Sequence, residues 1–285
     1  MGRTTAIGGT NVHYIDRGAG APVVLPHGNG SMLEELDASG LIEQLAASHR
    51  VIALDRPGFG LSPRPVRRWS PEQEGERLVS LMRQLHIERP VIVAHSWSTL
   101  VALSVALEQP DAISGLVLIS GYYYPTTRMD ALVQGFVASP VGDLLLHTLW
   151  PLIAKLSAPL AFKKVFDPSR PSAEFLSRYS LPMATRPSQL RALAVDTAAM
   201  PQATARLSKR YRELLLPVDL IIGTSDRVVT ASHHSRRLNR ELHNSFLDVV
   251  NGAGHMVHHA HPNLVARRVA HVFERALQPV AAGAP

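Results

Sequence analysis

The chain has 285 residues, 46% hydrophobic and 18% charged, enough for a sizeable core, and it has no cysteine, which excludes a disulfide framework and thiolate metal ligation. Lysine and arginine number 29 against 23 acidic residues, a formal charge of +6; the arginines fall in scattered pairs such as Arg236-Arg237 with no recognition motif, so a solvated basic surface is expected and nucleic-acid binding is not. Residues 1–14 lack the apolar stretch of a secretory signal, and no apolar run reaches the ~18 residues of a membrane helix, so a cytoplasmic protein without a transmembrane segment is expected.

Residues 11–18 (NVHYIDRG) alternate polar and apolar, as a half-buried strand near a sheet edge does. Residues 21–28 (APVVLPHG) are a short apolar run closed by proline and glycine. Residues 33–47 (LEELDASGLIEQLAA) have helical spacing, and 50–58 (RVIALDRPG) read as a buried strand. The stretch 70–87 opens with a serine cap and a proline at the first helical position, then continues as an amphipathic helix. A strand at 90–95, a helix at 97–110 and a strand at 113–121 follow. Continuous apolar strands separated by helices predict a parallel sheet covered on both faces.

The pattern changes after Gly121. Residues 122–214 hold two glycines, Gly135 and Gly142, nine prolines and no convincing strand. Prolines at such intervals predict a series of short helices. Alternation returns with a strand in 217–226, a helix over 230–242, a strand in 245–255 and a closing helix over 262–277. The chain therefore divides into an α/β core, residues 1–121 and 215–285, and a helical insertion, residues 122–214.

Ser96 lies where the strand 90–95 meets the helix 97–110. Side chains beside such a turn collide with the backbone unless they are small, and Ala94 and Ser98 are both small. The turn holds the hydroxyl at the carboxyl end of the sheet, where open α/β sheets bind ligands. The helix N-terminus behind it aims free N–H groups at any negative charge forming nearby. Taken alone, a serine in this place can be a plain helix cap.

The stretch Ala94-His95-Ser96-Trp97-Ser98 resembles the nucleophile elbow of the α/β-hydrolase family, whose pattern is G-x-S-x-G. Both glycines are replaced, and Ser98 brings a Cβ and a hydroxyl. Residues 25–30 (LPHGNG) resemble the family's His-Gly oxyanion-hole loop. The resemblance implies that the N–H groups of Asn29 and Trp97 bind an oxyanion, with His27, Gly28 and Gly30 supporting the loop. Residues 55–65 (DRPGFGLSPRP) resemble the loop after the family's next strand, where Asp55 and Arg56 brace rather than react. Asp226 after one late strand and His255 after the last complete the family's order of serine, acid and histidine. Asp219 and Asp248 compete poorly, since they fall at the start of a strand and inside one. The implied fold is the α/β-hydrolase fold, a mostly parallel central sheet flanked by helices, with a helical cap inserted after the strand ending near Gly121.

These residue types suit acyl transfer. A serine hydroxyl is a poor nucleophile until a histidine takes its proton, and a carboxylate fixes the histidine tautomer and stabilises the imidazolium. His258, His259 and His261 crowd the same stretch as His255, but no glutamate completes an H-E-x-x-H and Pro262 limits the helix. They read as surface or structural residues, and neither metal nor cofactor is expected. The insertion carries "GYYYP" at 121–125 and then Phe136, Leu144, Leu145, Leu149, Trp150, Phe162 and Phe166; most of these hold its helices together and some face an apolar pocket.

The expected function is hydrolysis of a small or medium apolar carboxylic ester through an acyl-enzyme on Ser96. Other chemistry on the same residues stays open: a carbon–carbon bond hydrolase, a lactonase, an amidase or a perhydrolase. So does a low-turnover ligand-binding protein that retains the three residues. Epoxide hydrolase and haloalkane dehalogenase chemistry needs a carboxylate where Ser96 stands. The sequence carries no signature of oligomeric state.

Overall fold

The computed structural model describes residues 2–65, 69–126, 137, 139, 142, 144 and 146–278. Among these, one sheet holds β1 (Arg3–Ile7), β2 (Thr10–Arg17), β3 (Pro22–Pro26), β4 (Arg50–Leu54), β5 (Val91–His95), β6 (Gly115–Ile119), β7 (Val218–Gly223) and β8 (Ser245–Val250). Its order is β1-β2-β4-β3-β5-β6-β7-β8. Strands β1, β2 and β4 pair antiparallel, and β4 through β8 run parallel. The helices are α1 (Leu33–Ala38), α2 (Leu41–Ala46), α3 (Pro71–Gln84), α4 (Ser98–Glu108), α5 (Trp150–Phe166), α6 (Ala173–Arg178), α7 (Leu181–Ala184), α8 (Pro187–Leu207), α9 (Ser235–Glu241), α10 (Val257–Ala260) and α11 (Pro262–Ala276).

The unbroken apolar strands follow from two-sided burial. Ile92 and Ala94 of β5 enter one core with Leu78 of α3 and Leu100 of α4. Val91 and Val93 point the other way, to Leu36, Ile42 and Val269 of α1, α2 and α11. Successive side chains of a strand face opposite sides, so both sets must be apolar. Strands β3 and β5 are neighbours, yet the chain leaves β3 toward β4 and β5 toward β6. That reversal opens a crevice at their carboxyl ends.

Four details differ from the pattern read along the chain. β1, absent from that reading, forms a hairpin with β2 through Gly8-Gly9, so β2 is second from the edge. The helical stretch 33–47 is two helices, broken at Gly40, whose φ of 73° is left-handed. Only Ser235–Glu241 of the stretch 230–242 is α-helical; just before it, the His234 ring accepts the N–H groups of Tyr123 and Tyr124.

The fourth difference lies in residues 122–214, which hold no strand among the described residues. Prolines do not cut this segment into uniformly short helices. α5 runs 17 residues with Pro159 inside, and α8 runs 21 with Pro201 inside. An interior proline costs ~3 kcal/mol; α8 offsets this by burying Leu190, Ala194, Met200, Ala203 and Leu207. Pro151, Pro182 and Pro187 instead occupy first turns, where a missing N–H is no loss. Leu144 and Leu149 do not hold this segment together: they are 71% and 60% exposed. Trp150 packs on Val137, Leu146 and Leu190, while Phe162 and Phe166 pack on Phe175. Phe136, Leu145 and Gly135 lie outside the described residues. No helix among the described residues is long and apolar enough to cross a membrane.

Candidate active site

Ser96 follows β5 directly and donates its N–H to the Ile119 carbonyl of β6 at 2.9 Å. Its φ is 56°, a left-handed conformation that costs a residue with a Cβ ~1–2 kcal/mol. Ser98 braces that turn. Its buried hydroxyl oxygen accepts the His95 N–H at 3.0 Å and lies 2.9 Å from the carbonyl oxygens of Pro26 and His95, to one of which it donates. The side chain that stands in for glycine therefore ties the start of α4 to the end of β5 and lies against the end of β3. Gly28 passes so close on the other side that a Cβ there would lie 3.0 Å from His95 Nδ1.

His255, on the loop after β8, places Nε2 at 3.1 Å from Ser96 Oγ and Nδ1 at 2.9 Å from Asp226 Oδ2. A carboxylate only accepts, so Nδ1 carries the hydrogen and Nε2 offers a lone pair to the serine hydroxyl. Asp226 Oδ1 accepts the N–H groups of Val228 and Val229 at 2.7 and 2.9 Å. Burial pulls the Asp226 carboxyl upward, but His255 and these two N–H donors outweigh it and hold the pKa below the ordinary value. All three residues are buried or nearly so.

Of the oxyanion-loop candidates, Gly28, Asn29, Gly30 and Trp97 line the same pocket as Ser96. His27 donates from Nδ1 to the Gly28 carbonyl at 2.7 Å and accepts the Arg56 N–H on Nε2 at 3.0 Å. The Asn29 side chain donates to Leu193 O at 3.3 Å and Thr197 Oγ1 at 3.0 Å, and accepts the Gly30 N–H at 3.1 Å. Trp97 precedes α4 in helical conformation, where N–H groups lack partners in the helix. Its indole donates to the Asp196 carbonyl at 2.9 Å, and the Arg56 guanidinium lies 4.0 Å over its ring. Asp55 accepts from the N–H groups of Leu33 and Leu61, and Arg56 pairs with Glu74 and Asp196.

His95 is the contributor that reading along the chain left without a role. Its Nε2 donates to the His255 carbonyl at 3.2 Å, so the residue before the serine holds the backbone of the histidine. Burial, then the neighbouring His258 and His255 imidazoles, push its pKa well below the ordinary value, which keeps it neutral. No local motif announces this contact, because the two residues lie on different strand ends.

Ser96 and His255 open into a pocket of about 360 Å³, the low end of the range for small-molecule sites. Tyr122, Phe162, Phe175, Leu193 and Met200 supply apolar wall, four of them from the helices of residues 122–214. Among the described residues, its lining includes no lysine or arginine, and its one carboxylate is Glu35. A second cleft of about 680 Å³ lies beyond Phe166 and Met256 and does not reach Ser96.

The sequence profile of the alpha/beta hydrolase family matches residues 23–268. The chain is 31% identical over 265 residues to 2-hydroxy-6-oxononadienedioate/2-hydroxy-6-oxononatrienedioate hydrolase 2 of Pseudomonas putida, covering 88% of each. It is 30% identical over 139 residues to haloalkane dehalogenase 2 of Mycobacterium bovis, and this match spans about half of each chain, 48%. A thermophilic esterase from Thermogutta terrifontis superposes with a TM-score of 0.79 at 21% identity, over 98% of this chain and 100% of that one; at that identity the likeness is one of fold.

Proposed function

Because the chain belongs to the alpha/beta hydrolase family, we propose that it is a serine hydrolase, cleaving a small or medium apolar carboxylic ester through an acyl-enzyme on Ser96. The observation that carries this reading is the hydrogen-bonded line from Asp226 through His255 to Ser96 at the mouth of an apolar pocket. His255 Nε2 takes the serine proton as Oγ bonds to the ester carbonyl carbon. The backbone N–H groups of Asn29 and Trp97 receive the oxyanion, and Asp226 stabilises the imidazolium. That proton passes to the departing alkoxide, leaving acyl-Ser96 and an alcohol. Water, deprotonated by the same Nε2, then attacks the acyl carbon and releases the acid with Ser96 restored. The helices of residues 122–214 act as the cap that shapes the acyl pocket.

The relatives' names suggest other substrates, and the site weighs against them. Haloalkane dehalogenation starts from a carboxylate nucleophile, and residue 96 is serine. The Pseudomonas putida relative is named for a dioate; two carboxylates would find no lysine or arginine among the described lining residues and would meet Glu35. An aryl-ester series of increasing acyl length tests the proposal. Wild-type protein should turn over repeatedly with an optimum at short or medium chains, and fluorophosphonate should label Ser96. A single turnover without regeneration would reveal a ligand-binding protein instead.

A further inference from the structure

At the pocket wall, three side chains from two distant parts of the chain converge. His258 Nε2 and His259 Nε2, both of α10, lie 2.6 and 2.7 Å from the same atom, Oε1 of Glu35 on α1. The Ser31 hydroxyl donates to the other carboxylate oxygen at 3.0 Å. Glu35 and His258 are buried, and the His259 side chain is 9% exposed. The rings of Phe166 and Phe175 stand edge-on to His259 at 5.0 and 5.8 Å, so the surroundings have a low dielectric. His259 also borders the second cleft, lined by Asp37, Glu43 and Glu174 together with Arg170 and Arg178, and this offers an approach from solvent.

The Glu35 carboxylate is enclosed, and two imidazole nitrogens meet on one of its oxygens. The buried His258 Nδ1 has no hydrogen-bond partner among the described residues. An enclosed anion flanked by imidazole nitrogens is the surrounding that a divalent cation neutralises.

We propose that Glu35, His258 and His259 form a divalent transition-metal site of the zinc type, separate from Ser96. The three donor atoms lie within 4.8 Å of one another. A tetrahedral ion with ligands at ~2.0–2.1 Å sets them about 3.3 Å apart, so each N···O separation opens by ~0.7 Å. In binding the ion, each imidazole presents the Nε2 lone pair and carries its hydrogen on Nδ1. A fourth position is left for water. The ion would join α1, which follows the loop of residues 28–31, to α10, which follows His255, and so clamp two segments that flank Ser96.

The test uses untagged full-length protein, stripped with chelator, dialysed against zinc and counted by elemental analysis. One zinc per chain, a zinc-dependent rise in Tm and a tetrahedral cobalt(II) spectrum are expected. Glu35→Gln and His259→Ala should lose all three, with affinity at least ~10-fold lower, while His255→Ala keeps them. Because His259→Ala changes a partly exposed residue, its circular dichroism should remain native, and it decides the matter if Glu35→Gln fails to fold. Zinc-free wild type overturns the site in favour of a purely hydrogen-bonded cluster. Equal retention by the variants, or loss in His255→Ala, overturns it in favour of binding elsewhere. None of these readouts depends on ester hydrolysis.

Discussion

His255 Nε2 stands 3.1 Å from Ser96 Oγ although 159 positions separate the two residues. The serine is presented by a left-handed turn after β5, and the His255 carbonyl is held by His95, the residue just before that serine. Under the proposed reading, Ser96→Ala removes the nucleophile and His255→Ala removes its base. Each should lower kcat by ~10⁴–10⁶-fold, and Ser96→Ala should abolish fluorophosphonate labelling. Normal ester turnover by Ser96→Ala would refute the assignment.

Asp226→Asn should lower kcat by ~10⁴-fold with little change in circular dichroism. The amide oxygen can still accept from Val228 and Val229, which preserves the loop. The amide NH₂ facing His255 would favour the wrong imidazole tautomer. A kcat within tenfold of wild type would remove Asp226 from the reaction.

Ser98 yields a prediction against the family pattern. Ser98→Gly restores G at that position, yet it leaves the buried His95 N–H without its acceptor. Both Ser98→Gly and Ser98→Ala should destabilise the protein by ~1–3 kcal/mol in urea unfolding. A glycine variant as stable as wild type would show that the hydroxyl does not hold the turn.

Stability should fall on mild acidification. The His27 pKa is lowered from 6.5 to about 4, first by burial and then by Arg56. Between those values the unfolded chain binds the extra proton and the folded one does not. Stability is therefore greatest above pH about 6.5 and declines until about pH 4, by ~3 kcal/mol from this residue alone. His95 and His258 shift in the same direction and add to the loss. A urea midpoint that stays constant across this window would contradict the burial of neutral imidazoles.

Asp196 of α8 pairs with Arg56 at 2.7 Å and Arg64 at 2.7 Å, all within the protein interior or close to it. Asp196→Ala strands the fully buried Arg56 with only Glu74 as partner, and should cost ~3–5 kcal/mol. Leu193 and Met200 of the same helix line the pocket, so loosening α8 should also raise KM for esters. Unchanged Tm and KM would show that α8 is held on the sheet by its apolar face alone.

Much of the frame was legible along the chain. Two-sided apolar strands, a capped amphipathic α3 and the strand-to-helix turn at Ser96 are short-range features, decided by periodicity and turn sterics. The order Ser96, Asp226, His255 could be read because each follows a strand end. What escaped depends on competition between local preference and packing. Pro201 sits inside α8 because burying that helix outweighs the lost hydrogen bond, and the helix expected over 230–242 begins only at Ser235, just after His234 accepts from Tyr123 and Tyr124.

By itself the sequence determined the fold class, the position of the turn carrying Ser96 and the chain order of its partners, since these arise from residues within a few places of one another. Only the tertiary structure decided that Ser98 braces the turn, that His95 carries the backbone of His255, and that Glu35 meets His258 and His259 from 223 and 224 residues away. Those contacts exist because sheet order and helix packing bring distant strand ends to one crevice, and no periodicity within a segment records which distant side chains will share it.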